Sequence, residues 1–562
     1  GIYPYLRAMS LKSRYFAGKI RQLWNYTKSE RLKREKREIF RGTKFAMKTK
    51  ICDNIPYARA RAYETKEQIM FRLSDRQGKL FDAYGLMTPQ KKAACEKSWA
   101  GPFHEKALPV LLVAEPEFAG LYDERMGRPN CPVALLSGLH ILKEMHNLTD
   151  MEALGELEFD ARWWYAFGLE PDDAKLCQKT LHNFRQAVMR HGKGQVIFRK
   201  TTDALISALG ISVTRQRLDS THILSNFAVL NRLGLFCETM RVFLHTLRKA
   251  DNVLYEGISG GMLKRYSDDS RYSDARKEEG RRRLAVAARD LYRLVELFKG
   301  NAVVEKLNEY GLMKRLLTEQ CEISDKPEPP VEGDDDGGEP PVPVKLKAPV
   351  DVESASLQTP HDEDVTYSGH KGKGYEVQLA ESCVESNPVE LITEAQVTPS
   401  SGSDSAALLP VIASLEKSGH KPEEIIADTG YSGAKNASEA AGHGVNLCAP
   451  APARGKPLPG VSYPVPADRC PENRKEAGEW LKSREAQPEF KKRQAIRAGI
   501  EGTNSELKRR HGMRKLRVRG GERVKLAVYF KVTACNLKRA LAYWTLDRLK
   551  PIRADECAVG WV

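Results

Sequence analysis

The sequence predicts an α/β protein: a mixed sheet preceded by a helical domain and interrupted by a helical insertion. Three observations carry this. Apolar residues recur at helical spacing from about residue 100 to 195, and again from about 230 to 320. Short strand-like runs lie around Asp219 and from Tyr375 onward. Between residues 391 and 427 a strand, a helix and a strand follow one another, so the last strand should run parallel to an earlier one.

At 562 residues the chain exceeds one ordinary core and should form two or three domains. Its formal net charge of +16 favours a polyanionic partner, with nucleic acid first. The eleven cysteines form no C-x-x-C pair, which fits a reduced cytosolic chain better than a disulfide framework or a zinc site. No apolar run approaches the length of a bilayer span.

Residues 1–99 read as a basic N-terminal extension, densest at Arg31-Leu32-Lys33-Arg34-Glu35-Lys36-Arg37. No apolar face repeats there, so a solvated, partly disordered segment is preferred to an arm that contacts DNA phosphates. The sequence begins at Gly1, and Met47 offers an alternative start that would make residues 1–46 an upstream readthrough.

Residues 100–205 read as a helical domain. Pro132 opens a helix carrying Val133, Leu135, Leu136, Leu139, Ile141 and Leu142. Asp150 begins a short helix, and Trp163, Trp164, Tyr165 and Phe167 form an aromatic cluster that ends at Gly168. Thr180 can cap a third helix that bears Arg185 and Arg190 ahead of Gly192. Two readings stay open here: a helix-turn-helix reader of DNA ends, with Arg185 and Arg190 as contacts, and a plain helical bundle.

Residues 206–545 should form the sheet domain. Strands are expected near Asp219, from Tyr375 to Leu379, from Leu391 to Thr398, from Ile425 to Ala427 and near Val445–Ala449. A helix is expected over Asp404–Lys417, stopped by Gly419, and a long one from near Pro488. The insertion occupies 230–320, with Leu284, Ala287, Leu291, Leu294, Val295 and Phe298 on one face. Residues 322–355 are an acidic, proline-rich linker, and 546–562 a C-terminal tail.

Three acids stand out. Asp428 ends the apolar run Ile425-Ile426-Ala427, and Thr429-Gly430 turns the chain away from it. Carboxylates at the carboxyl ends of parallel strands point into the usual ligand crevice of α/β sheets. Asp219 reaches the same rim from a neighbouring strand. Glu501 shares a helix face with Arg497 and Lys508, and Gly499 and Gly502 flank it. Taken singly, Asp219 and Asp428 read better as turn or cap aspartates, and Glu501 has the bland reading of an amphipathic surface helix. Taken together, they repel one another unless a cation relieves them, and all-oxygen ligands suit Mg²⁺ or Mn²⁺.

The element order resembles the ribonuclease-H-like fold, interrupted after its opening strands. The motifs Leu218-Asp219-Ser220-Thr221, Ala427-Asp428-Thr429-Gly430-Tyr431 and Arg497-x₃-Glu501-x₆-Lys508 resemble the signature of bacterial insertion-sequence DDE transposases. Arg519-Gly520 and Cys535-Asn536-Leu537-Lys538-Arg539 are similar to the C-terminal helices of that family. The resemblance departs at Gln494, where the family often has tyrosine.

The resemblance implies Asp219, Asp428 and Glu501 as catalytic metal ligands for two Mg²⁺ or Mn²⁺ ions. It implies Arg497 and Lys508 as DNA contacts, with Arg509 and Arg510 beside them. The implied partners are double-stranded DNA, both element terminal inverted repeats and target, and a second copy of the chain in a homodimer. The implied location is the cytoplasm, at the nucleoid. A catalytically silent DNA-binding descendant and a ribonuclease-H-like nuclease are the competing readings.

Overall fold

The computed structural model describes residues 71–74, 87–123, 129–266, 277–324, 340–458 and 461–549. The chain divides into two units, Gly1–Glu67 and Gln68–Val562, and every described residue belongs to the second. Most of the basic extension, residues 325–339 of the linker and residues 550–562 of the tail lie outside the described residues.

Helical structure begins before the expected boundary at 100, with α1 (Pro89–Lys97) capped by Thr88. The helix opened by Pro132 is α2 (Val133–Met145), buried along its whole length. Next come α3 (Asp150–Phe159), α4 (Ala161–Phe167), α5 (Gln178–Arg190) and α6 (Gly194–Leu209). α3 begins at Asp150 as expected, and Thr149 caps it in a reciprocal pair with Glu152. Thr180 lies inside α5, whose cap position is Cys177, so the predicted cap is displaced by three residues. Gly168 closes α4 in the left-handed conformation with φ of 64°. The aromatic cluster is core, since Trp163, Tyr165 and Phe167 are buried.

One six-stranded sheet follows the helices. Its strands are β1 (Arg215–Ile223), β4 (Thr366–Ser368), β5 (Gly372–Ser382), β6 (Ile392–Pro399), β7 (Glu424–Ile426) and β8 (Asn446–Cys448). A separate hairpin pairs β2 (Cys321–Ile323) with β3 (Val344–Leu346). β5 is antiparallel to β1 and to β6, while β1, β7 and β8 run parallel. The predicted parallel crossover is therefore present. It passes through α10 (Asp404–Lys417), between the insertion helices named below and the later ones.

Between β1 and β2 lie α7 (Arg232–Ala250), α8 (Lys277–Leu297) and α9 (Asn308–Gln320), the expected insertion. It has a core of its own, in which Phe236, Phe243, Leu291, Leu294, Tyr310 and Leu316 are buried. Its first and last helices are clasped together at their ends. Arg232 donates to the Gln320 side chain at 2.9 Å and to the Gln320 carbonyl at 3.0 Å.

After β7 come α11 (Ala434–Gly442), α12 (Arg474–Glu485), α13 (Pro488–Arg497), α14 (Gly499–Arg509) and α15 (Gly521–Leu549). The single long helix expected from Pro488 is two helices, broken at Ala498. α15 runs past residue 545 and is apolar on two sides. Leu526, Phe530, Leu537 and Leu541 join the core of the helical domain, whereas Val524, Val528, Val532 and Cys535 join the sheet core. One helix thus fastens the helical domain to the sheet. Asn536 adds a clamp, exchanging two hydrogen bonds with the Ile392 backbone of β6 at 2.8 and 2.7 Å.

Candidate active site

β1 alternates between two packed faces. Leu218 joins the core formed with α10, α11 and α12. Arg217 and Asp219 turn to the other face, under α13 and α14. Arg217 is buried, bonded to Glu381 and Glu390 and to the Ile496 carbonyl. Asn504 of α14 donates to Asp219 Oδ2 at 3.0 Å. Burial pushes the Asp219 carboxyl up to about 6; the Arg497 guanidinium pulls the other way, and the charges of Asp428 and Asp404 add to the rise.

Register brings the second acid to the first. The last parallel pair is Arg217 with Ile426, and two residues beyond it on each chain come Asp219 and Asp428, near enough for their charges to interact. Asp428 also performs the turn role that a lone aspartate would have. It caps the short turn Thr429–Tyr431, accepting from Gly430 N at 2.8 Å. Gln494, at the position where the family resemblance led us to expect tyrosine, donates to the Cys448 carbonyl at 3.0 Å and to the Ala427 carbonyl at 3.4 Å. It ties α13 to the ends of β7 and β8, one residue before Asp428.

Glu501 is the most exposed of the three, with a side chain 67% accessible. A single guanidinium links it to the first acid: Arg497 lies 3.8 Å from Asp219 and 3.5 Å from Glu501. The break at Ala498 leaves both on the face toward β1. Glu506, the other acid on α14, is bound to Arg539 and so stands apart.

The two glycines beside Glu501 have different reasons. A side chain at Gly499 would collide with the buried Arg217 guanidinium, whereas at Gly502 it would meet nothing within 4 Å. Gly499→Ala is therefore expected to destabilise the chain by about 1–3 kcal/mol, the cost of overpacking a fixed site. Gly502→Ala should be neutral or stabilising by up to about 1 kcal/mol. Paired melting curves check this; equal shifts would contradict it.

Lys508 faces the same pocket. Burial depresses its ammonium, helped by Arg514 and opposed by Asp219 and Glu376. Sequence reading missed four groups here. Asn504 sits one turn after Glu501, a spacing that points to a shared face. Asp404 is the first residue of α10; a Cβ on Gly430 would lie 3.0 Å from Asp428 Oδ1 and 3.3 Å from Asp404 Oδ2. Gly430 therefore lets these two carboxylates approach one point. Glu376 is only 2% exposed, although its alternation with Val377 reads as a polar strand face. Lys371 reaches Glu376, Asp404 and Ser220.

The predicted DNA contacts fall in different settings. Arg190, Arg509 and Arg510 are exposed. Arg185 is half-buried and makes a two-pronged ion pair with Asp150 at 3.0 and 2.9 Å, tying α5 to α3.

Sheet order, the crossover, Asp219 within β1 and Asp428 just past the neighbouring β7 are consistent with the ribonuclease-H-like class. Residues 346–537 match the family model described as transposase DDE domain, and residues 106–187 match that of a transposase domain, DUF772. Both matches support reading the chain as an insertion-sequence DDE transposase. The first match encloses Asp428, Glu501 and Lys508, while Asp219 lies before it, across the insertion. No curated protein and no solved structure matches the chain. Members of the DDE family use divalent metals and act on DNA. No helix among the described residues is long and apolar enough to cross a membrane.

Proposed function

We propose that the chain binds the terminal inverted repeats of its element as a homodimer, cuts phosphodiester bonds there and joins the freed 3′ ends to target DNA. The observation that carries this reading is the approach of Asp428, two residues past the end of β7, to Asp219 in the neighbouring parallel strand β1, with Arg497 bridging to Glu501.

The side-chain chemistry fits divalent ions, while the oxygens of Asp219, Asp428 and Glu501 do not all lie within 4.8 Å of one another in this structure. All donors are oxygens, which suits Mg²⁺ or Mn²⁺; burial is the main cause of the raised Asp219 carboxyl, and the charges of Asp428 and Asp404 add to it. Asp219, Asp428 and Glu501 are the proposed ligands of two ions. Bound there, such ions would supply activation of water or a 3′-hydroxyl and stabilisation of the leaving oxygen.

The chain's own residues do the rest. Asn504 orients Asp219 by its hydrogen bond, and Gln494 and the Gly430 amide orient Asp428. Arg497 and Lys508 hold backbone phosphates without reading sequence. Arg509, Arg510 and Arg190 extend that contact along exposed surface, and Arg185 does so to the extent that its pair with Asp150 opens. Work on chromosomal DNA places the protein in the cytoplasm, at the nucleoid.

The test is cleavage of a supercoiled plasmid carrying the element's ends, with Mg²⁺ or Mn²⁺. Nicking that requires both metal and ends supports the reading. Cleavage indifferent to the ends, and surviving deletion of residues 100–195, would instead indicate a general nuclease; silence from a folded chain would indicate a DNA-binding descendant. Affinity for DNA should fall steeply with salt, log Kd rising linearly with log salt as neutralised phosphates recover their counterions. A flat dependence would contradict phosphate gripping by the cationic side chains.

A further inference from the structure

Lys371 sits in the turn between β4 and β5. Gly372, with φ of 90°, turns the chain back there, and a side chain at Gly374 would collide with the Ile223 carbonyl of β1. The hairpin is thereby pressed against β1 and its lysine is carried over the rim. The ammonium has three hydrogens and three neighbours: Ser220 Oγ at 3.0 Å, Glu376, and Asp404 Oδ2 at 3.5 Å. Ser220 is the residue after Asp219. The three contacts are unequal. Glu376 is buried and demands a countercharge, so it anchors the lysine. Asp404 is the loose partner. A third of the Lys371 side chain remains accessible, at 33%.

The position is complementary to the cations already described. Arg497 and Lys508 approach the acids from the α13–α14 face of the sheet. Asp404 belongs to α10, which packs on the opposite face with Leu218 and Ala380. Lys371 therefore reaches the acids from the α10 side, close enough to Lys508 that both act on Glu376.

We propose that Lys371 is a phosphate-holding residue of the cleavage site. It keeps Glu376 as its anchor and trades Asp404 for a backbone phosphate oxygen of the DNA strand laid across the rim. The strand is thus gripped from the α10 side as well as by Arg497 and Lys508. This inference rests on the reading of the site as a DNA-cutting one.

The experiment uses the full chain and a duplex carrying an element end. Binding is measured in Ca²⁺ over a salt series, and cleavage in Mg²⁺ or Mn²⁺. Lys371→Gln is expected to weaken binding about tenfold and to lower the salt slope by about one unit, the share of one phosphate contact. It should raise KM more than it lowers kcat, and Lys371→Arg should restore the slope. Lys299→Ala, which removes an exposed lysine of the insertion paired with Glu296, should leave the slope unchanged. If Lys371→Gln folds poorly because Glu376 loses its partner, the double variant Lys371→Gln/Glu376→Gln removes both charges and should show the same loss of slope. A normal slope in a folded variant, with wild-type cleavage intact, would overturn the role of Lys371 alone. Absence of metal-dependent cutting by the wild type would overturn the reading beneath it.

Discussion

Replacing Asp428 with Asn is expected to lower metal-dependent strand cleavage by about 10²–10³-fold or more, the scale of losing a group that stabilises charge in a transition state. DNA affinity should stay close to that of the wild type. The geometry explains why these two effects separate. Asp428 Oδ1 accepts from Gly430 N, and an Asn carbonyl oxygen can do the same, so the turn after β7 survives. Arg497 and Lys508, the proposed phosphate contacts, lie on the helices that cover β1 and are untouched. Asp428→Ala is the useful contrast, because it also removes the cap, at about 1 kcal/mol of stability. Gel-shift and plasmid-nicking assays on the same preparations check the claim. Loss of binding with retained nicking would refute the assignment of Asp428.

The second large effect concerns Asp219 and has an unusual sign. Its carboxyl sits at about 6 in the folded chain against an ordinary value of 3.8. Between those two pH values the folded chain keeps a proton that the unfolded chain has released. Stability contributed by this group is therefore present at low pH and lost as pH rises through the window from about 4 to 6. Near neutral pH the ionised carboxylate is a cost, on the order of 3 kcal/mol at most for a shift of this size. Without divalent metal, Asp219→Asn should melt higher than the wild type at pH 7.5, and the difference should shrink toward pH 4. Mg²⁺ or Mn²⁺ should raise the melting temperature of the wild type but not of the variant. Wild-type cleavage should fall as pH drops through about 6, because the proton and the metal compete for one group. A variant that melts below the wild type at pH 7.5 would sink this account.

Much of the site is legible in the sequence because each acid carries a local signal. Asp428 follows three apolar residues and precedes Thr-Gly, so strand end and turn are both readable. Glu501 lies four residues after Arg497, and the two do meet. The helix Asp404–Lys417 is readable to its ends, since Ser403 caps it and Gly419 stops it. The rest depends on convergence, which no local pattern encodes. Nothing near Lys371 states that a hairpin will fold over Ser220. Glu376 alternates like a solvent-facing residue, yet the turn and α10 cover it. The break at Ala498 has one sequence trace, Gly499, whose missing side chain leaves room for Arg217, nearly three hundred positions earlier. Gln494 reads as a departure from the family motif, and only the tertiary structure shows it tying down the ends of β7 and β8.

The insertion bears on how the sheet assembles. Asp219 pairs with Leu379, a separation of 379 − 219 = 160 residues along the chain. Contacts that distant in sequence ordinarily slow the search for the native topology, because closure entropy is spent before pairing returns anything. Here the intervening helices have a core of their own and the Arg232–Gln320 clasp holds their two ends together, so early formation of this piece is expected to shorten the search. Once that has happened, the loop left to close is only the chain outside the condensed piece. The insertion serves as a scaffold for building the strand pair on which Asp219 stands.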